Sequence, residues 1–247
     1  MEPLGYTRAA IRSNYALISP DTHVRTNLAG WGNTEGVVHI SPQIGAGFTQ
    51  TTAFMAAGGS SALPPEDVER FLYVRTGSVS LNAGGKDHQL RVGGYAFLPA
   101  DCRHEVIAAV DAELVLFEKD FQPLSDGREP DLVIGHEDDV EGEAFQGDED
   151  ARLKKLLPDD SPFDMSVNIF TYQPGATLPQ VEIHVMEHGL LMLAGAGVYR
   201  LDDDWHPVQE GDVIWMGPYC PQWFVASGKT PARYLYYKDV NRDPLDI

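Results

Sequence analysis

Glu182-Ile183-His184-Val185-Met186-Glu187-His188, with Gln222 further along the chain, supplies four side chains of the kind that bind a divalent cation. In an extended chain, residues an even number apart share a face. Glu182, His184 and His188 therefore aim to one side, and Ile183, Val185 and Glu187 to the other. Two imidazoles, a carboxylate and an amide form a mixed nitrogen and oxygen set with no thiolate. Four donors leave about two of six octahedral positions open to substrate or water, which favours Mn2+, with Fe2+ as second choice, over a closed structural zinc site. A lone histidine in a strand is more often bonded to its neighbours than to a metal. Four donors at concordant positions point instead to one cavity.

The elements that would position these donors are strands. Short runs such as Val198-Tyr-Arg-Leu201 and Asp212-Val-Ile-Trp-Met216 alternate with turn residues such as Asp202-Asp-Asp204, an all-β pattern. The best helical candidate is the charged stretch Asp150 to Leu157, stopped by Pro158. Two segments recur at a constant offset of 118 residues: Arg70-Phe-Leu-Tyr-Val-Arg-Thr-Gly77 matches His188-Gly-Leu-Leu-Met-Leu-Ala-Gly195, and Gly93-Gly-Tyr-Ala-Phe-Leu-Pro99 matches Gly211-Asp-Val-Ile-Trp-Met-Gly217. Such a repeat predicts two similar domains. We expect an N-terminal domain over residues 1–124 and a C-terminal domain over 151–247. The 125–150 stretch, with eleven acidic residues against one arginine, is read as a solvated linker.

The repeat also provides an internal control. Stepping back 118 residues from Glu182, His184, His188 and Gln222 leads to Pro64, Glu66, Arg70 and His104. Proline has no side-chain donor, and a guanidinium brings a fixed positive charge to the place of a cation. The metal site is thus expected in the second domain and to be degenerate in the first. The scaffold glycines repeat while the donors do not, so strand composition alone does not explain the donors.

Lys plus Arg number 18 against 37 Asp plus Glu, a formal net charge of -19 that disfavours nucleic acid and anionic membrane surfaces as partners. No run approaches the roughly 20 apolar residues of a membrane span, and the start lacks a signal-peptide pattern, so a soluble, cytoplasmic protein is expected. Cys102 and Cys220 are too few for a disulfide framework and read as free thiols at equivalent turns.

The motifs resemble those of the cupin superfamily, whose second motif runs Gly-x5-Pro-x-Gly-x2-His. Here it reads Gly211-Asp-Val-Ile-Trp-Met-Gly-Pro-Tyr-Cys-Pro-Gln222, with Gln at the usual His position, and the first motif reads Glu-x-His-x-x-x-His. Within that superfamily the chain is similar to the (S)-ureidoglycine aminohydrolases. The likeness is densest around Glu182-Ile-His184, Gly197-Val-Tyr-Arg-Leu201, Trp205 to Trp215, Pro221-Gln-Trp223 and Tyr237-Lys-Asp-Val-Asn-Arg-Asp243. The resemblance implies two tandem cupin barrels, of the double-stranded β-helix or jelly-roll type. It also implies a Glu182, His184, His188, Gln222 metal set, a substrate pocket lined by Tyr199, Tyr234 and Lys238, and an acidic residue from outside the second barrel that has no assigned position. Its reaction is the hydrolysis of (S)-2-ureidoglycine to (S)-ureidoglycolate and ammonia in ureide breakdown, with Glu182 and Lys238 as the catalytic residues. Two other classes stay open: an iron-dependent cupin dioxygenase and a non-catalytic cupin that binds a small ligand. Sheet edges left by both barrels lead us to expect a homo-oligomer.

Overall fold

The computed structural model describes residues 4–243. Apart from three single turns of 3-10 helix, its regular elements are all strands. Among the described residues no helix is long and apolar enough to cross a membrane. The chain divides into two compact units. One comprises residues 24–140 and 159–164, the other residues 4–23, 141–158 and 165–243.

In the first unit a ten-stranded sheet is built around Thr49–Ser60, Ala112–Asp120, Val68–Thr76 and Gly94–Leu98. Leu72, Val74, Leu81, Leu114 and Leu116 fill its interior. In the second unit an eight-stranded sheet has at its centre Val213–Met216, His188–Ala194, Ala232–Asp239 and Met165–Tyr172. A three-stranded sheet of Asp204–Gln209, Ala196–Leu201 and Gln222–Ser227 contributes to the same core. Tyr199 and Phe224 from the small sheet pack there with Met192, Ile214 and Tyr234 from the large one.

The 118-residue repeat is visible in the hairpins. Ser78–Ala83 and Lys86–Arg91 correspond to Ala196–Leu201 and Asp204–Gln209 at both ends of each strand. Gly77 and Gly195 open these hairpins with φ of 72° and 74°. A Cβ at either would strike a carbonyl oxygen, that of Asp111 or of Pro231, so both the turn and the close approach require glycine.

Three expectations are corrected. The 150–157 stretch is no helix: Asp148–Lys155 is a strand paired with Met165–Tyr172. Tertiary pairing overrides its weak helical pattern. The acidic 125–150 segment is not a bare linker either. Val133–His136 pairs with Gly94–Leu98 in the first unit, and Glu143–Phe145 begins the second unit's edge through Asp148–Lys155. Finally, residues 4–23 do not belong with the N-terminal unit. Tyr15–Ile18 pairs with Val213–Met216 in register Tyr15↔Met216 to Ile18↔Val213, covering what would otherwise be an open edge.

Candidate active site

Glu182 and Gln222 form an isolated antiparallel bridge: Glu182 N donates to Gln222 O at 2.9 Å and Gln222 N donates to Glu182 O at 3.0 Å. Between this bridge and the strand that starts at His188 the chain is a loop, so the 182–188 segment is not the continuous strand its alternation suggests. The expected sidedness still holds. Ile183 is exposed, and Glu187 Oε2 accepts from Trp215 Nε1 at 3.1 Å outside the cavity. The loop is pinned by Tyr219 N donating to His184 O at 2.8 Å. His188 lies opposite Lys238 across the neighbouring strand, and Tyr234 and Tyr236 lie opposite Met192 and Leu190.

All eight of these polar and aromatic groups, Glu182, His184, His188, Gln222, Tyr199, Tyr234, Tyr236 and Lys238, line one cavity of about 230 Å³. That is below the roughly 300–1,000 Å³ of sites for drug-sized ligands and suits a small metabolite. His184 Nε2 lies 3.1 Å from His188 Nε2, 2.9 Å from Gln222 Nε2 and 4.0 Å from Glu182 Oε2. His184 Nδ1 donates to Met186 O at 3.0 Å, and the Tyr237 backbone carbonyl accepts from His188. With the other nitrogen of each ring bonded to a backbone carbonyl, the two facing Nε2 atoms are the ones left to bind a proton or an ion. Two lone pairs at that distance repel unless a cation or proton lies between them. Two donors on adjacent octahedral corners, each about 2.1 Å from an ion, are separated by about 3.0 Å, so the spacing fits a metal-ligand pair. The Gln222 amide can turn its oxygen toward the same point. Among the described residues no three His, Cys, Asp or Glu side chains form a metal cluster by themselves.

Electrostatics follow burial. His188 is held well below the usual imidazole value by burial, and then by the charges of His184 and Lys238. Its neutral form is therefore favoured, the form that can bind a cation. Burial raises the Glu182 carboxyl, against the opposing pull of His184 and Lys238. Tyr199, Tyr234 and Tyr236 are all pushed up, chiefly by burial, and remain protonated hydroxyls able to donate.

The equivalent place in the first unit is filled differently. Arg70, 2% exposed, bonds through Nη1 to Ala62 O and His104 Nε2, both at 2.9 Å, and its Nε reaches Glu118 Oε1 at 2.8 Å. Glu66 lies exposed in a turn.

Sequence reasoning missed much of the cavity wall. Phe145, Leu153, Phe170 and Leu178 close its apolar side, and Phe145 packs edge-on to Phe170 at 4.9 Å. Phe145 comes from the supposed linker, where an aromatic residue among acidic neighbours was the available signal. Tyr172, behind Tyr234, was also missed.

Residues 168–237 match the Cupin domain family. A protein of Oryza sativa subsp. japonica named "Probable (S)-ureidoglycine aminohydrolase" is 47% identical over 98% of this chain and 78% of its own length. The (S)-ureidoglycine aminohydrolase of Escherichia coli (strain K12) is 35% identical over 98% of this chain and 95% of its own. The crystal structure of protein Ylba from E. coli superimposes with a TM-score of 0.86 at 33% identity, covering 96% of each chain. Likeness of this extent, running well beyond the residues around the cavity, shows that the chain belongs to the (S)-ureidoglycine aminohydrolase family and has its cupin fold.

Proposed function

We propose that this protein hydrolyses (S)-2-ureidoglycine to (S)-ureidoglycolate and ammonia, as a manganese-dependent step of purine and allantoin breakdown. The observation that carries the reading is the meeting of two imidazoles, an amide and a carboxylate at a small cavity walled by tyrosines and Lys238. Glu182, His184, His188 and Gln222 would hold the ion, which when bound supplies Lewis-acid polarisation of the substrate.

The remaining chemistry belongs to the side chains. Lys238 pairs with the substrate carboxylate, and the hydroxyls of Tyr199 and Tyr234 donate to the ureido oxygen. Three groups around one carbon are thereby fixed, which sets the stereochemistry. Glu182 takes a proton from water as its oxygen bonds to the central carbon. It returns a proton to the departing amine as the C–N bond breaks, so that ammonia leaves and a hydroxyl remains. The same reading includes a cytoplasmic site of action and a homo-oligomer, expected from the sheet edges.

The test is ammonia release from freshly generated ureidoglycine by metal-stripped protein, repeated after manganese is restored. Activity should be absent and then return. Iron or zinc in its place should give less. Full activity in a metal-free sample would reject the metal dependence, and no ammonia under any loading would reject the substrate.

A further inference from the structure

Tyr172 ends the strand Met165–Tyr172 and is fully buried. Its neighbours across both adjacent strands are small, Ala151 on one side and Ala232 on the other, which leaves room for a large ring. The ring packs against Phe170 at 5.0 Å, Phe224 at 5.1 Å and Tyr234 at 5.7 Å. Phenylalanine would satisfy such surroundings, yet the residue carries a hydroxyl, and a buried hydroxyl without a partner is costly. Among the described residues the hydrogen bond made by that hydroxyl is to Tyr234 Oη, at 3.1 Å.

Tyr234 lines the cavity and Tyr172 does not. A phenol has one proton to give and lone pairs to accept with. Either hydroxyl can donate in this pair, but the rings around Tyr172 offer no acceptor of comparable strength, which favours its proton going to Tyr234. Tyr234 then keeps its own proton for the cavity side, where the Tyr199 hydroxyl is also within its reach. A hydroxyl that already accepts a hydrogen bond is also a better donor, and its rotation is restricted.

We propose that Tyr172 is a positioning residue that orients the Tyr234 hydroxyl as a donor to the carbonyl oxygen of the substrate's ureido group. The proposal rests on the ureidoglycine reading above and adds to it the way one substrate-binding group is held. Tyr172 touches no reacting atom and acts only through Tyr234.

A double-mutant cycle on the manganese-loaded protein tests it, with kcat and KM measured by ammonia release for the wild type, Tyr172→Phe, Tyr234→Phe and the double variant. Phenylalanine keeps the ring and removes only the hydroxyl. Tyr172→Phe should raise KM by about five-fold, the scale of one neutral hydrogen bond, with kcat within about two-fold of wild type. In the Tyr234→Phe background the same change should have no further effect. An equal loss in both backgrounds, as a purely structural role would give, overturns the proposal, and so does no loss in either. If the wild type releases ammonia and the cycle shows no coupling, only the Tyr172 role fails. If the wild type releases none, the activity reading fails and the Tyr172 role falls with it.

Discussion

Glu182 and His184 lie two positions apart and have separable tasks. Glu182→Gln keeps the shape of the side chain and, through its amide oxygen, one ligand atom, but it cannot carry a proton at neutral pH. Turnover should fall by about 10²- to 10⁴-fold, the usual contribution of a positioned acid or base, with the far-UV spectrum unchanged. A fully active variant would rule out proton transfer by this residue. His184→Ala should instead remove the ion. His184 Nε2 is the atom nearest the other donors, so metal content measured by mass spectrometry should drop to near zero. Undiminished content would reject the ligand assignment. The donors were legible in the sequence because polar metal-binding types are conspicuous among apolar strand residues. Tyr172, Phe145 and Leu153 were not, because aromatic and aliphatic residues in strands look alike whether they fill a core or wall a cavity.

At the scale of elements, the fold class followed from local pattern: short β-rich runs and a fixed offset are visible in a single chain. Partners distant in sequence left no such mark. Nothing in Tyr15-Ala-Leu-Ile18 indicates that it pairs with Val213–Met216, and the boundary was misplaced there. That pairing is reinforced by Arg8, whose guanidinium grips Asp212 through two bonds of 2.7 Å, while Gln209 N donates to the same carboxylate at 2.8 Å. The Asp212 side chain is fully buried, so losing Arg8 leaves a carboxylate with one backbone donor in a dry place. Arg8→Ala should destabilise the unit that contains the cavity by about 2 kcal/mol, read as a lower denaturant midpoint. A change below about 0.5 kcal/mol would place this pair among ordinary surface ion pairs.

Over the whole molecule, three histidines share one electrostatic condition. His104, His188 and His206 are all lowered from 6.5, with burial the first cause in each. A group with its folded value depressed contributes stability that is present above its unfolded value and lost as pH falls toward the folded one. The metal-free protein should therefore lose thermal stability below about pH 6.5, before most carboxylates titrate. His104 accepts from Arg70 and donates to Cys102 O at 2.7 Å, a pattern that an amide reproduces without titrating. His104→Gln, which copies the residue at Gln222, should flatten the decline. An identical pH profile would exclude His104 as a contributor.

The union of Tyr15–Ile18 with Val213–Met216 also sets a timetable for biosynthesis. Met216 emerges 201 residues after Tyr15 (216 less 15), which at about 5–20 residues per second is a wait on the order of 10–40 s. During that time the apolar Tyr-Ala-Leu-Ile segment has only the two-residue strand Ala10–Ile11 to pair with, while the residues of the other unit, 24–140 and 159–164, have all been made. The edge that Val213–Met216 completes is therefore the last strand pairing this N-terminal segment makes, long after its own short hairpin can form.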